Sequence, residues 1–595
     1  MGGRDALAVG GGRAHLRAVA VVIAGLVSWG CASPGNGPGG AGGSGGAGQA
    51  GADGGGLDIP APRDAPMETA TGPDATNFRL SYSTAGYDAR GTKVVLIRTL
   101  APVPVTDVNL AETTWSLNDG SGAAATTGRV TYFGTTYGVQ YWVADFSAFR
   151  GEGKFSMEVM IKKSADTLIG MKRTLPFWVQ NNNFTKTMLI PLSLNNADAR
   201  KAPPAKGGFY DATSVGFQEA YSHGMFLYGL LQMYKLRNAA LSDADKVRLV
   251  TDINIAFDHL LRRWSPDATT LFAHPEVATR GGMNDVEPSF AMALYIDMFK
   301  GVDPTRANDE KFAKMVTAFN LLKDSPAAWL AADYQEYKDY LIPMAVHMYR
   351  YSGDVTWKNE AITRLGAFLA AFNLRTHYRS ASRVIPLLDG LRACAEEFPS
   401  DANHASWISQ ATTIKDTYYK SSKVWAENAF HIVSTSAAKD PAGDWDAGRI
   451  TGDAWGNHIK GYTGGTYAHD VLVLAKLTGD RSLEKVAAGE LYWDMGLNPG
   501  LPRAYVVNPT STDERESASF IINAPFRHVT GVTYRDFKML NETYMTTVNG
   551  FSSNGGANDF GYVGTVGYYG EDFIKHDGSL INGGLIYEEY LASIQ

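Results

Sequence analysis

Between residues 77 and 180 apolar and polar positions alternate in short runs: Lys93-Val94-Val95-Leu96-Ile97-Arg98, Arg129-Val130-Thr131-Tyr132-Phe133, Gln140-Tyr141-Trp142-Val143-Ala144-Asp145-Phe146 and Lys154-Phe155-Ser156-Met157-Glu158-Val159. Glycine turns such as Gly151-Glu152-Gly153 separate them. A period of two broken by such turns predicts an immunoglobulin-like β-sandwich, here given the bounds 77–182. After it the period lengthens. Apolar residues recur at helical spacing over 217–237, 241–264, 289–300, 308–322, 334–351, 356–371, 403–428, 467–477 and 482–495, with Gly and Pro in between. So many helices without a fixed repeat length predict an (α/α)6 barrel over 183–595, two concentric rings with a cleft at one rim, rather than tandem repeats.

The first 76 residues follow neither pattern. Arg4, Arg13 and Arg17 precede an apolar run from Ala18 to Val27, too short to span a bilayer, closed by Ser28-Trp29-Gly30-Cys31. Residues 1–31 therefore read as a secretory signal, and Cys31 after a small residue resembles the bacterial lipoprotein cleavage site, where the cysteine is lipidated. Residues 32–76 are glycine, alanine and proline with almost no large apolar side chain, the composition of a flexible tether. The expectation is a secreted lipoprotein of the outer membrane or cell surface, touching the membrane only through its anchor.

Charge narrows the partners. Lys and Arg number 54 against 61 Asp and Glu, and no basic run offers a phosphate-binding stripe, so nucleic acid is not expected. The two cysteines, Cys31 and Cys394, leave no intramolecular disulfide if the first is lipidated, and Cys394 reads as a buried helical thiol. His223, His458 and His469 sit in apolar settings suited to hydrogen-bonded core histidines, and no metal-ligand spacing stands out. No cofactor is expected; a structural calcium stays open.

Candidate chemistry begins at Gly207-Gly208-Phe209-Tyr210-Asp211-Ala212-Thr213-Ser214, just ahead of the apolar helical run that starts at Ala220. Two glycines let the backbone turn sharply and carry a carboxylate to a pocket floor; alternatively Asp211 is a turn or helix-capping residue. This stretch resembles the Gly-Gly-aromatic-Asp-Ala-Gly-Asp signature of glycoside hydrolase family 9, the inverting cellulase-like enzymes. Arg350-Tyr351-Ser352-Gly353-Asp354, Lys476-Leu477-Thr478-Gly479-Asp480, and Met495-Gly496-Leu497-Asn498-Pro499 followed by Arg503-Ala504-Tyr505-Val506-Val507 are similar to further segments of that family, in the same order. The β-sandwich also resembles the immunoglobulin-like domain that precedes many of its catalytic domains. Two departures fall in the site: Thr213 and Ser214 stand where the family has Gly and its second Asp.

Inverting hydrolysis needs a carboxylate base and a carboxylic acid on opposite sides of the scissile bond, with room for water. The resemblance implies Asp211 as base, with Ser214 holding the water; Glu219 close behind either supplies a second carboxylate or is a first-turn helix residue. The family's acid is a glutamate just ahead of the final helix, whose start Asn582-Gly583-Gly584-Leu585-Ile586-Tyr587 resembles. Counting back gives His576 or Asp577 and no glutamate, so Asp577, then Glu571, are the candidates, although Asp577 also reads as a helix cap. Arg527-His528 is the nearest equivalent of the family's histidine loop, and Tyr210, Trp455, Tyr505 and His576 complete the expected substrate contacts. Three readings follow: a glycosidase acting on a β-linked polysaccharide or oligosaccharide; a polysaccharide lyase, in which Tyr210, His528 or His576 would move the proton; and a glycan-binding lipoprotein without catalysis.

Overall fold

A computed structural model describes residues 69–71, 78–83, 85–99, 111–136, 139–174, 176–210, 218–266, 270–273, 283–324, 338–372, 386–419, 429–431, 460–493, 495, 497 and 574–594. Eleven strands come first among these: β1 (Thr69–Thr71), β2 (Phe78–Ser81), β3 (Tyr87–Asp88), β4 (Val94–Thr99), β5 (Thr114–Asn118), β6 (Ala124–Arg129), β7 (Thr131–Thr136), β8 (Val139–Asp145), β9 (Gly153–Ser164), β10 (Thr167–Arg173) and β11 (Phe177–Gln180). One sheet runs β2-β4-β8-β7, all antiparallel. The other is organised on the twelve-residue β9, which buries Phe155, Met157, Val159 and Ile161 on alternate positions. One edge of β9 takes β10 and, continuing the same antiparallel run through Thr174, β11, with β1 beyond β10; the other edge takes β5. β1 lies ahead of the start expected at residue 77. Between the sheets Trp142, Phe78, Tyr87, Phe146 and Phe177 fill the core.

The chain passes from β11 into helix almost at once. Thr185–Leu189 and Pro191–Asn196 have turns wider than an α-helix, and Ala197–Arg200 ends the segment. Then come α1 (Ala220–Arg237), α2 (Asp243–Arg263), α3 (Met283–Met298), α4 (Asp309–Asp324), α5 (Leu341–Ser352), α6 (Val355–Ala371), α7 (Asp389–Glu397), α8 (His404–Ile414), α9 (Lys460–Thr478), α10 (Glu484–Trp493) and α11 (Ile574–Ser593). Burial sorts them into two rings. α1 is buried on every side from Ala220 to Met233, whereas α2 and α6 bury one stripe each, Leu249, Ile253, Ala256, Phe257 and Leu260 in the first, Trp357, Ala361, Leu365 and Phe368 in the second. A helix apolar all round belongs inside and an amphipathic one outside. The inner set closes on itself, α1 against α3, α3 against α5, α5 against α7, α7 against α9, α9 against α11 and α11 back against α1. Cys394 is a buried thiol of α7, as expected.

The last closure depends on glycine. A Cβ on Gly229 would lie 2.7 Å from Gly578 Cα, one on Gly578 2.4 Å from the Met225 carbonyl oxygen, and one on Gly465 2.0 Å from the Ser579 carbonyl oxygen. Backbones of α1, α9 and α11 thus touch directly. α11 starts at Ile574, eight positions ahead of Asn582, so Asn582-Gly583-Gly584 is mid-helix rather than a helix start, and Asp577 is inside the first turn rather than a cap.

The sandwich is docked on the barrel by aromatic contacts. Tyr87 meets Tyr492 edge-on at 5.0 Å, Phe184 stacks on Tyr492 at 5.6 Å, and Tyr141 meets Phe430 at 5.2 Å. Glu484 of α10 accepts from the Thr92 amide at 2.9 Å, from the Thr92 hydroxyl at 2.5 Å and from the Tyr587 hydroxyl. This fits a structural support for the helical domain.

Candidate active site

The loop that leads to Asp211 is built from its own backbone. Lys201 and Phe209 form a bridge, the Tyr210 amide donates to the Arg200 carbonyl at 2.8 Å, and the Ala202 amide donates to the Gly208 carbonyl at 3.0 Å. Closing so short a loop puts Gly207 at φ +59° and Gly208 at φ +71°, the left-handed region that glycine enters without steric cost. There is no room for a side chain either: a Cβ on Gly207 would sit 1.8 Å from an Arg262 nitrogen, and one on Gly208 2.4 Å from His259 Nδ1.

Helix α1 fixes the loop from below. Glu219 is its N-cap residue with extended backbone, and its carbonyl accepts from His223 Nδ1 at 2.8 Å. That bond sets the tautomer, so His223 Nε2 accepts from the Phe209 amide at 3.0 Å. Gln218 donates to the Phe209 carbonyl at 3.2 Å and also to that of Gly207. Phe209 packs edge-on against Phe226 at 5.2 Å, and His259 of α2 stacks on His223 with centroids 4.0 Å apart. Asp211, Ala212, Thr213 and Ser214 come directly after this pinned backbone and lie outside the described residues.

Both histidines are held neutral. Burial pushes His223 down to about 4, against opposing hydrogen bonds from the backbone, and burial together with the neighbouring His223 holds His259 well below the ordinary range. An unfolded histidine takes its proton near 6.5, so between about 6.5 and 4 the unfolded chain binds more protons than the folded one. Stability held above pH 6.5 is therefore lost as the pH falls through that window, by about 2 kcal/mol for His223 alone at pH 5. Urea titrations at pH 7 and pH 5 should show this fall, and His223→Gln, which keeps an acceptor for Phe209 but does not titrate, should reduce the difference between them.

The start of α11 lies beside the start of α1. Lys575 Nζ donates to Tyr221 Oη at 2.9 Å and lies 4.4 Å from the centre of that ring. Asp577 is fully buried with its Oδ2 3.8 Å from Arg200 Nε, and Arg200 is buried too. This interior ion pair links α11 to the loop root at Arg200. Tyr210 is half-buried, with Lys206 Nζ 5.7 Å from its ring centre. His576 belongs to α11 by its backbone; Glu571, Trp455, Tyr505, Arg527, His528, His458 and Cys31 lie outside the described residues.

His469 is a core histidine, bonded through Nδ1 to the Asn582 side chain at 2.7 Å, with Nε2 3.5 Å from Asp389. Among the described residues no group of three His, Cys, Asp or Glu side chains is placed to hold a metal ion, and no helix is long and apolar enough to cross a membrane. Sequence reasoning missed Lys575, Tyr221 and Arg200. Lys575 lies 354 positions from Tyr221 in sequence, so no local pattern pairs them.

No family model matches the sequence, and no curated protein does. Solved structures do match in fold. A metagenome-derived glycoside hydrolase family 9 endoglucanase superposes with a TM-score of 0.56 at 13% identity, over 87% of this chain and 99% of that one. A family 9 glycoside hydrolase of Bacteroides ovatus gives 0.53 at 13% identity, over 86% and 99%. AaCel9A, solved in complex with cellobiose-like isofagomine, gives 0.53 at 14% identity, over 86% and 99%. The β-sandwich followed by a closed double ring of helices is thus the architecture of the family 9 endoglucanases.

Proposed function

We propose that the chain is a glycoside hydrolase that cleaves a β-linked glucan or related polysaccharide with inversion, using Asp211 as the base that activates water. The observation that carries this reading is the left-handed Gly207-Gly208 turn, pinned by His223 and Gln218 immediately ahead of Asp211 in the chain. Catalytic groups are often carried on loops that a rigid scaffold holds. Ser214, in the position of the family's second aspartate, then holds the water by hydrogen bond. The binding of a cellobiose-like compound by a protein of the same fold supports a β-glucan as substrate class. The Arg-rich, apolar leader ending at Cys31 supports action outside the cell, on a lipid tether.

A second reading, glycan binding without hydrolysis, draws support from the burial of Asp577 against Arg200 and from the absence of a glutamate in the acid position. One assay separates the two. Incubation with a panel of neutral and uronic acid polysaccharides, recorded for reducing ends and for the ultraviolet absorbance of an unsaturated product, should give reducing ends without absorbance. Asp211→Asn should lower that rate by about 100-fold or more. Glycan binding with no product in either channel would favour the second reading, and an absorbance rise would indicate a lyase.

A further inference from the structure

We infer that the groove between the outer helices α6 and α8 is a second glycan site, which holds a neutral stretch of the substrate chain on the outer wall of the helical ring; the inference rests on the β-glucan reading above. Three observations lead to it. The first is shape. α6 and α8 both pack on α7 and leave between them a groove of about 350 Å³. Ile362, Leu369 and Trp407 supply its apolar part, with the buried Trp407 ring set edge-on to His404. Gly366 keeps it open. A glycine weakens a helix relative to alanine, and here no neighbour requires one, since an added Cβ would have nothing within 4 Å. Gly465 and Gly578, by contrast, are crowded by facing backbone. With Ala367 and Ala370 alongside, the α6 wall consists of residues too small to fill the space.

The second is hydrogen-bonding capacity. The side chains of Thr363, Ser406, Gln410 and Trp407 line the groove and make no hydrogen bond to other described residues. Further along α8, Thr412 donates to the Ile408 carbonyl at 3.0 Å and Thr413 to that of Ser409 at 3.2 Å, the common outlet for a helical hydroxyl. The groove hydroxyls are not spent in this way. Together with the Gln410 amide and the indole N–H they offer both donors and acceptors to a ligand.

The third is charge. No ionisable side chain lines the groove, and the charges nearby pair with one another: Lys358 with Asp401 at 3.3 Å, Glu360 with Lys323 at 3.7 Å and with Arg364 at 3.1 Å. Apolar surface beside uncharged amide and hydroxyl groups matches a neutral sugar chain, which presents C–H faces and hydroxyl rims. It offers no counter-charge to a uronic acid polymer, a phosphate or a charged peptide. A glucan that engages groove and cleft together is retained more strongly than by either, because the second contact is intramolecular.

The test is binding by the full chain carrying Asp211→Asn, so that polymer is not consumed, measured by affinity electrophoresis in gels containing soluble neutral β-glucan, with polygalacturonate as the charged comparison. Gly366→Phe fills the groove from a position where an added side chain meets no neighbour, and should weaken retention by about 10-fold or more. Ser406→Ala with Gln410→Ala, which empties the groove instead of filling it, should weaken retention by about fivefold. Thermal midpoints confirm that each variant is folded. Retention unchanged in both variants, no retention of the parent, or preference for polygalacturonate would overturn the site, as would a dimer of the parent that Gly366→Phe dissolves without loss of glucan binding. Reducing ends released by the wild-type chain are recorded separately. Their release with groove-independent retention would overturn the site alone, whereas groove-dependent retention without them would sustain the site and overturn the hydrolase reading.

Discussion

Gly208→Ala should abolish most of the activity of the site and lower the stability of the helical domain by about 3 kcal/mol. Two costs combine. At φ +71° an L-residue meets the following carbonyl, a strain of about 1–2 kcal/mol. The new methyl would also stand 2.4 Å from His259 Nδ1 and 2.8 Å from His223 Nε2, two stacked rings with no free direction in which to retreat. Relief requires the loop to rise, which breaks the bond from the Phe209 amide to His223 and displaces the residues beyond it. Gly353→Ala separates the two terms. Gly353 closes α5 at φ +72° but has open space where a Cβ would go, so it should show the strain alone and leave activity intact. Urea midpoints of the two variants, with rates on β-glucan, check the prediction. Equal effects from both would show that the histidine stack does not fix the loop.

Gly578→Ala should be as damaging to stability, through a different mechanism. Its methyl would lie 2.4 Å from the Met225 carbonyl oxygen and 2.7 Å from the carbonyl carbon, both main-chain atoms of the facing helix. α1 and α11 would have to separate along the seam where Gly229 and Gly578 now touch, losing packing on either side. An alanine ordinarily helps a helix by about 1 kcal/mol over glycine, and here that gain is outweighed by overpacking of about 3 kcal/mol or more. Gly366→Ala is the matched comparison. It is a helical glycine of α6 with nothing within 4 Å of the added carbon, so it should raise stability. Opposite shifts in the thermal midpoints of these two variants are the expected result.

The same glycines mark where the sequence could and could not be read. Strands and most helices were legible because each buries a face whose period is local: β9 alternates residue by residue, and α2 repeats Leu249, Ile253, Ala256, Phe257 and Leu260. Which helices lie inside was not legible helix by helix, since it depends on what the opposite face meets. The start of α11 was misplaced because Gly578, Gly583 and Gly584 look like loop breakers, whereas in the fold they lie within the helix, Gly578 and Gly583 against facing backbone and Gly584 against the Leu189 side chain. The wide turns at Thr185–Asn196 were missed as well, for Pro191 and the Asn195-Asn196 pair carry no helical signal.

At the site, the turn was legible and the partners were not. Two glycines before an aromatic residue and an aspartate announce a sharp bend at any distance from the rest of the chain. That His223 and His259 would stack beneath it, or that Lys575 would reach Tyr221, depends on pairings across the ring. The pairing of Asp577 with Arg200 was not legible for the same reason, because Arg200 lies far away in sequence.

The closure of the inner ring by α11 also has a consequence for biosynthesis. During translation the sandwich and α1 leave the ribosome long before residue 574, so for most of that time the seam of α1 around Met225 and Gly229 has nothing to cover it. The nascent barrel is an open arc with a greasy edge until its last helix arrives and wedges between the first and the ninth.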